Sequence, residues 1–467
     1  MASNQTLAIL VARYLKANHY NKTLAAFLLE TNLDDKDAIT KPGDWTLEKL
    51  LEEKIQFDTS LNFERRDQDN NQGWTKPAPS IPREPEISVT SNVLCIKGSH
   101  PLATTVAIST ANNTCNFIQT RQPYAAQDER SFKIDSPILS TVFFAGNYVA
   151  STGMSGKVVI HNVNSGQLVG ERRDHGKWAV HIASWQDPTD SSRFLIATAG
   201  WDQKVNLYAL QCDASQTLSN LDPPAHSIEL PSNPESLAFV TNPDTNNLYL
   251  IISRRDSTFL YYYRIDSATE PSNTQQPPKP HITMTPAGRQ NLAPHSNAWV
   301  AFTPSALALH PTDPTLLAIA TSHLPHLKVI IVRLLFPEDT TLRSGIAPQT
   351  AAAVARADLA LQDREDAAIT LQVSTQAPQT PYSTPQVVWR PDGSGVWVNG
   401  DDGVVRGVEA RSGKVVALLR AHEVGSKVRT LWAGYVESGD GERREVVISG
   451  GFDRKVFVWE VDMKEQE

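Results

Sequence analysis

Cysteine is scarce in this chain: Cys95, Cys115 and Cys212 are the only three in 467 residues. An odd, widely spaced set gives neither a disulfide framework nor a zinc-ligand pattern. No stretch approaches the roughly 18 apolar residues of a membrane span, so no membrane association is expected. The opening MASNQTLAILVARYLK has no basic region ahead of its apolar run, and Arg13 interrupts that run. It makes a poor secretory leader. The expected compartment is cytoplasm and/or nucleus, with reduced thiols, and the sequons at Asn4 and Asn21 then carry no meaning. Positive charge is also short, with 43 Lys and Arg against 51 Asp and Glu and a net charge of −8. The basic residues are scattered and not interleaved with aromatics, which argues against nucleic-acid binding.

Catalytic constellations are missing too. Ser151 to Ile160 reads STGMSGKVVI, which has a Gly-Lys pair but neither the hydroxyl nor the glycine spacing of a phosphate loop. No G-x-S-x-G elbow occurs. His323 and His326 in SHLPHLK form a weak metal spacing beside a proline turn, and a structural or solvent role fits them better. Asp401 and Asp402 sit in a DDG turn, whose geometry explains them as exposed turn residues. The expectation is a non-enzymatic protein with no cofactor and no metal.

What is present is repetition. Ala199 to Leu210 reads AGWDQKVNLYAL and Gly450 to Val461 reads GGFDRKVFVWEV. Each is a small-residue turn, an Asp, then an alternating strand ending in an aromatic. Similar units end in GMSGKVVIHNV, RRDSTFLYYYRI, LPHLKVIIVRL and GDDGVVRGVEA, and Val93 to Gln119 supplies another. A fourth strand per unit can come from connecting stretches such as GQLVGERR and GKVVALLRA. Hydrophobic content of 40% marks a globular chain, and repeated strand units of this kind mean stacked or radially arranged sheets. The fold class expected is mainly β, a propeller of about seven blades from residue 87 to 467, behind a small helical N-terminal element.

This layout resembles the WD-repeat β-propeller family. In the last unit His422 precedes the first strand, Ser449 lies in the next, Asp453 in the turn, and Trp459 ends the third. The resemblance implies that these four form a buried relay, Asp to His to hydroxyl to indole, in which each polar group is satisfied. His175, Thr198, Asp202 and Tyr208 repeat it loosely. Other units depart from the pattern, with Met154–Ser155 and Pro325–His326 where the Asp would stand.

Residues 4–57 read as helices. Leu7, Leu10, Val11, Tyr14 and Leu15 form one apolar stripe, and Leu24, Phe27 and Leu28 a second, after a cap at Asn21. A third helix is expected over 45–57, capped by Asp44. Such short helices cannot bury a core alone. The segment from Leu7 to Leu33 resembles a LisH dimerisation motif, through Tyr14–Leu15, Tyr20, Thr23, Phe27 and Glu30. Leu24 stands where that family usually has Ala. The resemblance implies a homodimer built on Leu10, Tyr14, Leu15, Tyr20, Leu24 and Phe27. An ordinary hairpin is the alternative.

Residues 58–86 are polar and Pro-rich and read as a flexible linker, or as a loop lying on the propeller with Trp74 as its anchor. Insertions are expected at about 266–297, as a polar loop, and 337–385, with a helix over Ala351 to Ala368. Chains that resemble this one, LisH first and WD propeller after, assemble protein complexes. The resemblance therefore implies a scaffold with protein partners. The alternatives within that class are a substrate-recognition subunit of a ubiquitin ligase and a transcriptional corepressor subunit.

Overall fold

The computed structural model describes residues 2–41, 44–51, 74, 76–99, 104–122, 124–127, 130–213, 217–218, 221–269, 280–294, 302–337, 350–437 and 443–462. Seven four-stranded antiparallel sheets make up the β domain. Blade I holds β2 (Val93–Gly98), β3 (Thr105–Thr110), β4 (Thr114–Gln119) and β5 (Phe132–Lys133). Blade II holds β6 (Ile138–Phe144), β7 (Tyr148–Gly153), β8 (Lys157–Asn162) and β9 (Leu168–Arg173). Blade III holds β10 (Ala179–Gln186), β11 (Arg193–Gly200), β12 (Lys204–Gln211) and β13 (His226–Glu229). Blade IV holds β14 (Pro234–Thr241), β15 (Leu248–Arg254), β16 (Phe259–Thr269) and β17 (Pro280–Asn291). Blade V holds β18 (Pro304–Leu309), β19 (Leu316–Thr321), β20 (His326–Arg333) and β21 (Ile369–Pro378). Blade VI holds β22 (Val387–Trp389), β23 (Gly395–Val398), β24 (Val404–Glu409) and β25 (Val415–Arg420). In blade VII, β26 (Val428–Glu437), β27 (Arg443–Gly451) and β28 (Val456–Val461) are joined by β1 (Pro79–Arg83).

The first strand of each blade packs on the first strand of the next, from β2 through β6, β10, β14, β18, β22 and β26 and back to β2. This ring lines the central channel. Each second strand has a blade on both faces, so it reads as a continuous apolar or small-residue run. TVAIST in β3 and YVASTG in β7 are buried at every position. Outer strands alternate instead, as in LVGERR of β9 and VVALLR of β25. The core therefore lies between blades. Val142, Phe144 and Ile160 of blade II, for example, pack with Ile182, Ile196 and Tyr208 of blade III.

Two expectations are revised and a third holds. The linker was placed over residues 58–86, but Pro79–Arg83 is the outer strand of blade VII, paired antiparallel with β28. Two prolines disguise it, and an outermost strand tolerates them because its outward N–H groups need no partner. Within 266–297, β16 runs on to Thr269 and β17 starts at Pro280, so this insertion is the end of an extended hairpin. Within 337–385, helix α3 (Ala351–Ala368) forms as expected and leads into β21 of blade V. Glu365 of α3 is buried and accepts a hydrogen bond from the Asn291 backbone N–H at 2.7 Å.

The N-terminal residues form a compact unit of their own. Helix α1 (Ala2–Ala17) and helix α2 (Asn21–Thr31) make a hairpin. Ala12, Leu24 and Ala38 are buried at its centre, with Leu15, Phe27 and Leu28 packed around them. Tyr20, not Asn21, stands at the capping position of α2. Residues 47–51 are helical, and the Thr46 hydroxyl accepts from the Lys49 N–H at 3.3 Å. Asp44, the expected cap there, instead pairs with Arg13 at 2.7 Å. The rest of the expected third helix lies outside the described residues.

Candidate binding face

All inner strands start at one end of the propeller, so that end collects the turns between second and third strands and the connections that lead into each inner strand. The turn after β27 carries the first polar relay. His422 Nδ1 is 2.8 Å from Asp453 Oδ2, and its Nε2 is 2.8 Å from Ser449 Oγ. Trp459 Nε1–H donates to the same hydroxyl oxygen at 2.9 Å. A carboxylate only accepts, so the imidazole proton sits on Nδ1 and Nε2 accepts the Ser449 hydroxyl. Asp453 also accepts from the Glu423 N–H at 3.1 Å. Burial works against the Asp453 charge, yet the His422 hydrogen bond and the nearby backbone donors hold its carboxyl below the usual range.

Blade III repeats the arrangement. His175 meets Asp202 Oδ1 at 2.9 Å and Thr198 Oγ1 at 2.8 Å. Tyr208 departs from the Trp459 pattern: its hydroxyl donates to Asp174 Oδ2 at 3.0 Å, and Arg172 grips the same carboxylate with two bonds of 2.9 Å. Glycine before each Asp is a steric requirement. A Cβ on Gly200 would stand 2.4 Å from both Asp202 Oδ1 and His175 Nδ1.

The other turns satisfy themselves differently. In blade VI, Asp402 takes Arg406 at 2.7 Å. Asp401 was expected to be exposed, but it accepts from Ser383 Oγ at 2.5 Å and pairs with Lys427 at 2.9 Å. In blade II a Ser136–Ser155 hydroxyl pair at 3.0 Å stands in for His and Asp. His323 is buried against Phe302 with ring centroids 5.2 Å apart, while His326 is exposed on β20. The two do not form a pair.

The same face concentrates exposed apolar side chains. Trp178 (38% exposed), Leu324 (51%), Tyr382 (89%), Val424 (99%) and Phe452 (38%) all stand on its turns and connections. Trp178 stacks on Trp201 at 4.7 Å, and the Arg255 guanidinium lies 5.9 Å from the Trp201 ring. At the opposite end, Leu168 at the start of β9 and Leu359 and Leu361 of α3 are exposed as well. No sequence motif marks this apolar set, because its members lie on separate turns that only the assembled face brings together.

Residues 70–460 match the model of the UCP007778 beta-propeller domain. The chain belongs to that family. No curated protein matches the chain. Among the described residues no helix is long and apolar enough to cross a membrane.

Proposed function

We propose that this protein is a non-enzymatic scaffold that binds partner proteins through the face bearing Trp178, Tyr382, Val424 and Phe452. The observation that carries this reading is the set of exposed apolar and aromatic groups on the turns of this face, Trp178, Leu324, Tyr382, Val424 and Phe452, because a large apolar group is kept in water at a cost unless a partner covers it. The relays beneath support it. They are buried, fully paired and occupied with holding turns in place, so the relay histidines and carboxylates are not free to act as a general base. They also support the WD-repeat resemblance.

The N-terminal hairpin supports self-association. Leu24 is spent on the hairpin's own interior and Leu10 is buried, but Leu7 (60% exposed), Tyr14 (36%), Tyr20 (52%) and Leu29 (84%) are not. Leu7 and Tyr14 are seven residues apart and share a face of α1. A dimer through this LisH-like hairpin would present two propellers at once and raise weak face contacts by avidity. The setting we infer is cytoplasm and/or nucleus.

The test of the first reading is co-purification from cell extract with the full chain, its W178A/Y382A/F452A variant, and an L418S variant on the outer strand of blade VI. The face variant loses the partners and the outer-strand variant keeps them. Equal capture by all three overturns the reading. For self-association, light scattering of the full chain reports a dimer, and removal of residues 1–32 halves the mass. A wild-type monomer refutes that part.

A further inference from the structure

Within the channel ring, six of the seven inner strands share one irregularity. The ladder with the second strand skips one residue after Val93, Ile138, Ala179, Pro234, Pro304 and Val428. A bulge of this kind re-aims a side chain without ending the sheet. The skipped residues are Leu94, Leu139, Val180, Glu235, Ser305 and Arg429, one per blade at the same level. Two of the six are charged. Glu235 is already neutralised, with its carboxylate 2.7 Å from Arg255.

Arg429 has no such partner. Its neighbours on the channel ring are a cation, Lys97, and a histidine held neutral, His181. Lys97 is exposed on β2, and His181 is half-buried on β10 directly after the bulge in blade III. Blades VII and I are stitched here by the Thr430 hydroxyl, which accepts from the Ile96 N–H at 3.0 Å. Blades I and II meet through Cys95 and Thr141 at 3.5 Å. The three residues stand on inner strands of blades VII, I and III, and the charges of Arg429 and Lys97 both act on His181. Burial, then the charges of Arg429 and Lys97, push the His181 imidazole down to about 4. Burial likewise lowers the Arg429 guanidinium. Among the described residues none of the three has a hydrogen bond or a carboxylate within ion-pair distance. Other half-buried or buried arginines do have one: Arg390 has Glu445, Arg406 has Asp402, and Arg172 has Asp174. A half-buried guanidinium without a counter-charge, with the Lys97 ammonium nearby, is unfavourable alone and favourable around an anion.

We propose that the mouth of the channel binds an oxyanion, a phosphate or carboxylate group, held between the Arg429 guanidinium, the Lys97 ammonium and the His181 ring. The guanidinium supplies a planar two-donor fork and the ammonium a point charge, which suits a group with two or three oxygens. Such a group comes either from a small phosphate compound or from an acidic side chain inserted by a bound protein. The site does not rest on the aromatic face, because a free phosphate needs no partner protein to reach it.

Calorimetric titration of the full chain with pyrophosphate alone, and separately with a heptaglutamate peptide, tests the proposal. Saturable binding of either probe is expected, weakening as salt is raised. Pyrophosphate binding alone assigns the site to phosphate compounds. Peptide binding assigns it to acidic side chains. The double variant K97Q/R429Q should lose at least tenfold in affinity, whereas R429K, which keeps the charge, should lose less. Pyrophosphate should also raise the thermal midpoint of the wild type and not that of K97Q/R429Q, provided both melt cooperatively without it. Failure of both probes to bind, or equal affinity in wild type and double variant, overturns the proposal.

Discussion

Arg390 and Glu445, 55 residues apart, meet in a two-pronged ion pair that joins blade VI to blade VII. Nη2 lies 2.7 Å from Oε2 and Nε 3.0 Å from Oε1, and the Arg390 side chain is wholly out of water. The same guanidinium lies 4.4 Å from the Trp74 ring and donates to the Pro77 carbonyl at 3.2 Å. One side chain therefore holds two blades and the segment that leads into β1.

Arg390→Met should destabilise the propeller by about 3–5 kcal/mol, since it leaves the Glu445 charge buried and unpaired. Arg390→Met with Glu445→Leu should recover much of that loss. Urea unfolding of the three variants measures it. Equal losses in single and double variants would show that the packing of Arg390, and not the buried charge, is what matters.

Asp453→Ala should cost roughly 1–3 kcal/mol, because His422 keeps its place in the interior and loses its acceptor. Asp401→Ala should cost less, about 1 kcal/mol, since its ion pair with Lys427 and bond from Ser383 are partly exposed. Chemical melts that rank Asp401 above Asp453 would contradict the relay.

Stability should fall between neutral pH and pH 4. Burial pushes both His161 and His323 down to about 4, whereas an unfolded histidine titrates near 6.5. The unfolded chain thus takes up these protons first. The stabilisation is whole above about pH 6.5 and is lost as pH falls toward 4. His161 stacks on Phe132 with centroids 3.6 Å apart, so His161→Phe can keep the packing and remove the titration. Its urea midpoint should vary less with pH over this window, and a slope identical to wild type would refute the assignment.

A chain shortened to residues 87–467 should fold poorly beside one of residues 64–467. It lacks β1 and Trp74, exposes the edge of β28, and loses the Arg83–Glu460 pair at 3.3 Å. Thermal melts and sedimentation compare the two. A shorter chain that melts as sharply and as high would show that three strands suffice for blade VII.

The repeat was legible because each blade restates one pattern, a buried central strand and a turn of small and polar residues. GWDQKV and GFDRKV announced their relays, since His, hydroxyl and Asp sit at fixed offsets around a shared turn. Helix α3 was legible from its Ala-rich, alternately charged stretch. The strand PSIPR was not, because two prolines in five residues read locally as loop. The Arg390–Glu445 pair leaves no local mark either. The channel cations were hidden for a related reason. Lys97 in VLCIKG and Arg429 in SKVRT are single charges in separate strands, and only the packing of blade VII on blade I brings them near each other.

Because β1 pairs Pro79 with Val461, the ring is closed by two segments made at nearly opposite times on the ribosome. Blades I to VI can be complete while blade VII still waits for its last three strands. Until residue 461 emerges, β1 has no partner and the inter-blade faces of blades I and VI stay open to water. During that interval the protein depends on the speed of synthesis and on chaperones, which makes late translation the stage at which it is most exposed to aggregation.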